Sequence, residues 1–402
     1  MKYIVLVGDG MADRPVKELD GKTPLEAART PNMDYIVKNG QIGRAITIPG
    51  GLEPASDVAN LAILGYDPRK YYSGRGPLEA ANIGVELGEF DVAFRCNLIT
   101  ASGDVMADYS AGHISSKEAE VLITFMERHL GKEYVRFYPG VSYRHLVVFK
   151  PDVSYNIEDF KGLVCTPPHN MLGQKISDSL PKGKGADVII GLMEGSRPLL
   201  EHHEINRVRV DLQENPATMI WLWGQGSKPN LPSFQEKYGV TGSIISAVDL
   251  IKGIGRTIGL APIDVPGATG YYDTDYRAKA EYAIKSLRQG DFVFVHVEAP
   301  DEAGHNGDLR EKMLAIENFD SLVVGTVLKH FKDNKNVRIL VLPDHATPLS
   351  LRTHSAEPVP FAIYGKGVEP DRFDAFNEKV ACESPLVFSA GWEIMDYLMK
   401  KE

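Results

Sequence analysis

Phe292-Val293-Phe294-Val295-His296-Val297 runs straight into Glu298-Ala299-Pro300-Asp301-Glu302-Ala303-Gly304-His305. The first part is a short, near-continuous apolar run rich in β-branched and aromatic residues, as expected of a parallel strand buried on both faces. The second part carries Asp301 and His305 four residues apart, so one turn of helix sets both on one face. In open α/β sheets, ligands bind beyond the carboxyl ends of the strands. This stretch therefore reads as a buried strand delivering two possible metal ligands to such an end.

Two further stretches repeat the layout. Lys2 to Val7 leads into Gly8-Asp9-Gly10, and Val337 to Leu342 leads into Pro343-Asp344-His345, with His354 in the following loop. Helical spacing of apolar residues runs from Glu311 to Lys329. Strands alternating with helices predict an α/β sandwich around a largely parallel sheet. Each acidic group has an ordinary reading of its own. Asp9 can be a turn or cap residue, Asp301 with His305 a solvated helix start, and Asp344-His345 a turn. At three strand ends of one polarity they make better sense as a converging set. Asp344 and His345 are adjacent, so their side chains diverge and can reach two ions or bracket one. Six carboxylate and imidazole donors without sulfur suit Mn²⁺, Zn²⁺ or Mg²⁺.

Ser56 is the candidate nucleophile. It follows Pro49-Gly50-Gly51-Leu52-Glu53-Pro54-Ala55 and precedes Asp57 to Leu64, a helical stretch. It can simply cap that helix. The same position also favours an alkoxide or a phosphate, because a helix N-terminus attracts negative charge. A bound divalent ion would lower the hydroxyl pKa and remove the need for a histidine base.

The rest of the chain sets limits. It has 402 residues, 43% hydrophobic and 24% charged, the balance of a globular protein. The formal charge of −10 argues against a nucleic-acid partner and requires local cations for any anionic substrate. Cys96, Cys165 and Cys382 are scattered and form no Cys-x-x-Cys pair, so a disulfide framework or thiolate zinc site is not expected. No run approaches the ~18 apolar residues of a membrane span, and the N-terminus has no signal-peptide pattern; the expected location is the cytoplasm. Breaker-rich stretches such as Cys165 to His169 and Pro181 to Gly185 mark a second domain, expected over 95–205 and inserted into a core of 1–94 and 206–402.

Ile4 to Met11, Glu53-Pro54-Ala55-Ser56-Asp57, Pro300 to His305 and Asp344-His345 with His354 together resemble the cofactor-independent phosphoglycerate mutases, in their archaeal-type branch of the alkaline phosphatase superfamily. Tyr72 to Ala80, Phe94 to Leu98, Gly112-His113-Ile114, Tyr143-Arg144-His145 and Trp221 to Gly226 extend the likeness over nearly the whole chain. The resemblance implies an alkaline phosphatase-like three-layer sandwich, with a smaller α+β cap that closes over it. It implies two divalent cations, one held by Asp301, His305 and His354, the other by Asp9, Ser56, Asp344 and His345. Ser56 would take the phosphoryl group from one glycerate hydroxyl and return it to its neighbour, interconverting 3-phosphoglycerate and 2-phosphoglycerate without a bisphosphoglycerate primer. Arg95 and Arg144, then Arg75 and Lys279, would grip phosphate or carboxylate, and His113 would serve as acid or base at the hydroxyls. Each arginine can instead be an ion-pair partner, and His113 a structural histidine. The cap is shorter than in the long bacterial mutases, so their glycerate contacts do not transfer directly. The rival on the same core is a metal-dependent phosphatase or another phosphotransferase, such as the homoserine kinase activity suggested for bacterial relatives. No Gly-x-x-x-x-Gly-Lys-Ser/Thr loop is present to serve a kinase. A module that only binds is disfavoured because Ser56 and every expected ligand are present.

Overall fold

A computed structural model of the chain describes residues 1–334 and 336–400. The chain divides into two compact units, Met1–Tyr72 with Leu231–Glu402, and Ser73–Asn230.

The first unit is built on an eight-stranded sheet. In chain order its strands are β1 (Lys2–Gly8) and β2 (Gln41–Ala45), then β8 (Gly242–Ile245), β9 (Ala261–Pro262), β10 (Phe292–Val297), β11 (Val337–Leu342), β12 (Val359–Gly365) and β13 (Val387–Phe388), with β3 to β7 in the second unit. The spatial order is β13-β2-β12-β11-β1-β10-β8-β9. β11, β1, β10 and β8 run parallel, while β12 is antiparallel to both of its neighbours. Every residue of β10 and β11 is buried, as their largely apolar composition favours, His296 and Arg338 included. Ile4, Leu6, Val293, Val295, Ile339 and Val341 pack into one cluster with Phe319, Val323 and Val327.

The register fixes the chemistry. Val7 pairs with both His296 and Leu342, and Gly8 with Val297. The three strands therefore end level, and Asp9, Glu298 and Pro343 leave the sheet from one edge.

The helical pattern expected to run unbroken from Glu311 to Lys329 is interrupted. An α-helix over Leu309–Asn318 gives way to a π-turn over Phe319–Val324 and then a helix over Gly325–Phe331. Asp320, in the wide turn, is buried and accepts from the backbone N–H groups of Asn32 and Met33, which start the helix Pro31–Lys38. The π-turn thus satisfies another helix's orphan donors.

The second unit holds an antiparallel sheet of β3 (Val92–Ser102), β4 (Val105–Asp108), β5 (Val135–Tyr138), β6 (Arg144–Phe149) and β7 (Met219–Ser227). Helices Ser116–Leu130 and Ala186–Glu201 cover one face, burying Leu122, Met126, Ile189 and Met193 against Phe94 and Phe149. Helix Arg75–Ile83 covers the other, with Ala80 against Ala93 and Val148. The unit therefore begins and ends some twenty residues outside the expected 95–205. A boundary at 94/95 would cut β3, and one at 205/206 would remove β7, which pairs with β3 from Val92 to Ile99. No helix among the described residues is long and apolar enough to cross a membrane.

Candidate metal centre

Asp9 follows β1 directly; its N–H donates to Val297 O at 3.0 Å, which holds the turn against β10. Asp301 and His305 lie on the helix Ala299–Asn306, one turn apart, with His305 Nε2 3.2 Å from Asp301 Oδ2. His354 Nε2 is 3.0 Å from His305 Nε2 and 3.4 Å from Asp301 Oδ1. Their other ring nitrogens face backbone carbonyls, His305 Nδ1 that of Arg352 at 3.0 Å and His354 Nδ1 that of Pro54 at 3.3 Å. Such contacts fix the tautomer and leave both Nε2 atoms for a cation.

Beside this trio stand Asp344 and His345, both fully buried. Asp344 Oδ1 accepts from the N–H groups of Gly10 and His345, and Oδ2 from Asn60 Nδ2 at 2.7 Å. His345 Nε2 lies 3.4 Å from Asp9 Oδ1 and 3.1 Å from Ser56 Oγ. Ser56 begins the helix Ser56–Ile63, yet its hydroxyl caps nothing; Ala55 occupies the cap position. The capping role that the sequence allowed is not the one its side chain takes.

The electrostatics call for a cation. Asp301, Asp9, Asp344 and Glu298 gather in one buried space. Burial, then Asp344 and Asp301, push Asp9 well above the usual carboxylate range. Its Oδ1 has no hydrogen-bond partner, and neither has Asn60 Oδ1. Burial also opposes ionisation of Asp301, but His305 and His354 outweigh it and hold that carboxyl well below its usual range. His305 is raised to about 9, against its burial, chiefly by Asp301. Burial lowers His345 to about 4, despite Asp344 beside it. Oxygen and imidazole donors fall into three groups whose ligand atoms lie within 4.8 Å of one another: Asp301-His305-His354, Asp9-Asp301-His345 and Asp9-His296-Asp344. Unpartnered buried acceptors with a surplus of acid fit divalent cations. Thr347, unmarked by the sequence, donates its hydroxyl to Asp301 Oδ1 and lies 3.2 Å from His345 Nδ1.

Lys279 is a correction. It was expected to meet phosphate, but its ammonium is fully buried, donating to His296 O at 3.0 Å and Glu298 Oε2 at 2.5 Å. A lysine spent on a buried acid has no charge to offer a ligand.

Arg75, Arg95, Arg144 and His113 belong to the second unit. Arg75 and Arg95 converge on Glu79, at 3.1 and 2.5 Å, and both lie over the Trp223 ring. Arg95 is buried, and its Nε donates to Asn97 Oδ1. Arg144 pairs in register with Asn97, and its buried Nε has no hydrogen-bond partner. Two of the three arginines are thus ion-paired to one glutamate. His113 ends a run of three left-handed residues, Ala111, Gly112 and His113 (φ 49°, 65° and 50°), tied by Asp108, which accepts from Ser110 and Gly112. Its ring stands 6.3 Å from that of Tyr143.

A family profile described as 2,3-bisphosphoglycerate-independent phosphoglycerate mutase matches residues 37–206. A protein of that name from Methanosarcina acetivorans is 55% identical over 94% of both chains. One from Geobacter sulfurreducens, named a probable member, is 49% identical over the full length of both. Among solved structures, a Pyrococcus horikoshii protein superposes with a TM-score of 0.83 at 31% identity, covering 100% of this chain and 98% of its own. A cofactor-independent phosphoglycerate mutase from Thermoplasma acidophilum gives 0.66 at 29%, covering 99% of each.

Proposed function

The chain belongs to the 2,3-bisphosphoglycerate-independent phosphoglycerate mutase family, and from that premise we propose that it interconverts 3-phosphoglycerate and 2-phosphoglycerate by way of a phosphoryl group carried on Ser56. The observation that carries this reading is a serine hydroxyl, free of any capping duty, 3.1 Å from His345 Nε2 at the edge of a buried cluster of acids and histidines.

Two divalent cations, manganese, zinc or magnesium, would be held by Asp301, His305 and His354 and by Asp9, Asp344, His345 and Ser56, and would offset charge on the phosphoryl oxygens and the serine oxygen. Ser56 Oγ attacks phosphorus and the glycerate oxygen leaves; the neighbouring glycerate hydroxyl then attacks phosphoserine and frees Ser56. The helix that begins at Ser56 favours the anionic group at its N-terminus. Asn60 and the Gly10 N–H keep Asp344 aimed. Between half-reactions the glycerate must be kept. Arg95, Arg144 and Arg75 provide guanidinium groups for its carboxylate, and His113, on a strained turn, moves a proton at its hydroxyls.

The test is a coupled enolase assay on 3-phosphoglycerate with no bisphosphoglycerate added. A sustained signal is expected. Release of inorganic phosphate without that signal would replace the reading with phosphatase.

A further inference from the structure

One histidine of the centre has no role in the ligand set above. His296 is the fifth residue of β10, fully buried, and neither ring nitrogen has a hydrogen-bond partner. Its neighbours are instead three carboxylates, each between 3.4 and 3.7 Å from a ring nitrogen. Nε2 lies 3.4 Å from Asp9 Oδ2 and 3.7 Å from Asp344 Oδ2. These gaps are long for hydrogen bonds. They are close to the separation of about 3.0–3.4 Å between donors that each sit ~2.1 Å from a shared ion. One donor atom from each of His296, Asp9 and Asp344 lies within 4.8 Å of the other two.

The other side of the ring points the same way. Nδ1 faces Glu298 Oε1 at 3.5 Å. Glu298 is itself immobilised, accepting from Ser246 Oγ and Ala247 N–H at 2.7 Å each and from Lys279 Nζ. An imidazole with a fixed carboxylate behind one nitrogen and two carboxylate oxygens before the other, Asp344 Oδ2 held in place by Asn60 Nδ2, is the arrangement of a ligand histidine with its orienting acid. Asp9 divides its oxygens, Oδ1 toward His345 and Oδ2 toward His296. Resting on the two-cation reading above, we infer that His296 is a ligand, through Nε2, of the cation shared by Asp9 and Asp344, with Glu298 and Lys279 setting its orientation.

The experiment uses the full chain labelled with ¹⁵N at histidine, stripped by a chelator and reloaded with Zn²⁺. Long-range ¹H–¹⁵N correlation spectra then count the ligated imidazoles. Four are expected to shift on loading, those of His296, His305, His345 and His354, with His296 keeping its proton on Nδ1. His296→Asn assigns the fourth signal and should weaken Zn²⁺ binding at one site at least about tenfold. Should that variant not fold, Glu298→Gln, which alters the partner of Nδ1, assigns the same signal. Three shifted imidazoles, with His296 protonated on both nitrogens in the loaded protein, would overturn the inference and leave the two-cation reading standing. No shifted imidazole would overturn both.

Discussion

Ser56, Thr347 and Lys279 show how a residue type acquires its meaning from its partners. Ser56→Ala removes the oxygen proposed to carry phosphate and one of the four proposed ligands of the second cation; turnover should fall by at least about a thousandfold, while most of the bound metal measured by atomic emission stays. Undiminished turnover would remove Ser56 from the mechanism. Thr347 holds Asp301 from behind, so Thr347→Val should weaken metal binding by roughly 10–100-fold in a chelator competition, with the fold intact by circular dichroism. The clustering of the six acids and histidines beyond the strand ends was legible because such residues after apolar runs stand out against their surroundings. His296 was not, because a histidine inside Phe-Val-Phe-Val-His-Val takes its place in the strand pattern as one residue among six. Lys279 misled in the opposite sense. Nothing in Tyr276-Arg277-Ala278-Lys279 announces that Glu298 waits to neutralise it inside the protein.

Among elements, β1, β10 and β11 were readable to within a residue because buried parallel strands need continuous apolar runs. The break in the helix after Asn318 was not, because Asp320 answers a demand set by a segment almost three hundred residues away. The helix Arg75–Ile83 teaches the same lesson from the other unit. It sits so close to β3 that a Cβ on Gly76 would come within 2.3 Å of Ala93 O. Gly76→Ala should therefore cost about 1–3 kcal/mol, read as a lower melting temperature, and should loosen the arginines that the helix and β3 support. The expected domain limit at 94/95 failed for this reason. Local composition marks where a chain turns, but only pairing reveals that β3 needs both this helix and β7.

On the scale of the whole molecule, metal and acidity both reach stability. Cations bound only by the folded chain should raise the melting temperature, and a chelator should lower it; at a free metal concentration a hundred times the dissociation constant the effect is about 2.7 kcal/mol per site. Glu378, outside the acid and histidine cluster of the candidate centre, adds a pH dependence. It accepts from Asp13 N–H and Thr23 Oγ1, and burial raises it from an ordinary 4.5 to about 7. Because the folded state holds this proton more tightly than the unfolded chain, its contribution is complete below pH 4.5 and is lost as the pH climbs through 7. Discounted for its partial exposure, the loss is of order 1 kcal/mol, and Glu378→Gln should flatten that part of the stability curve measured by urea titration between pH 4.5 and 8. The register of β1 carries a further consequence. Tyr3 pairs with Phe292 and Lys2 with Val337. At about 5–20 residues per second, a ribosome that has just released β1 makes its partners only some 15–60 s later. Ser73–Asn230 emerges whole in the interval and can settle first, while the apolar first strand of the nascent chain waits unpaired until its neighbours arrive.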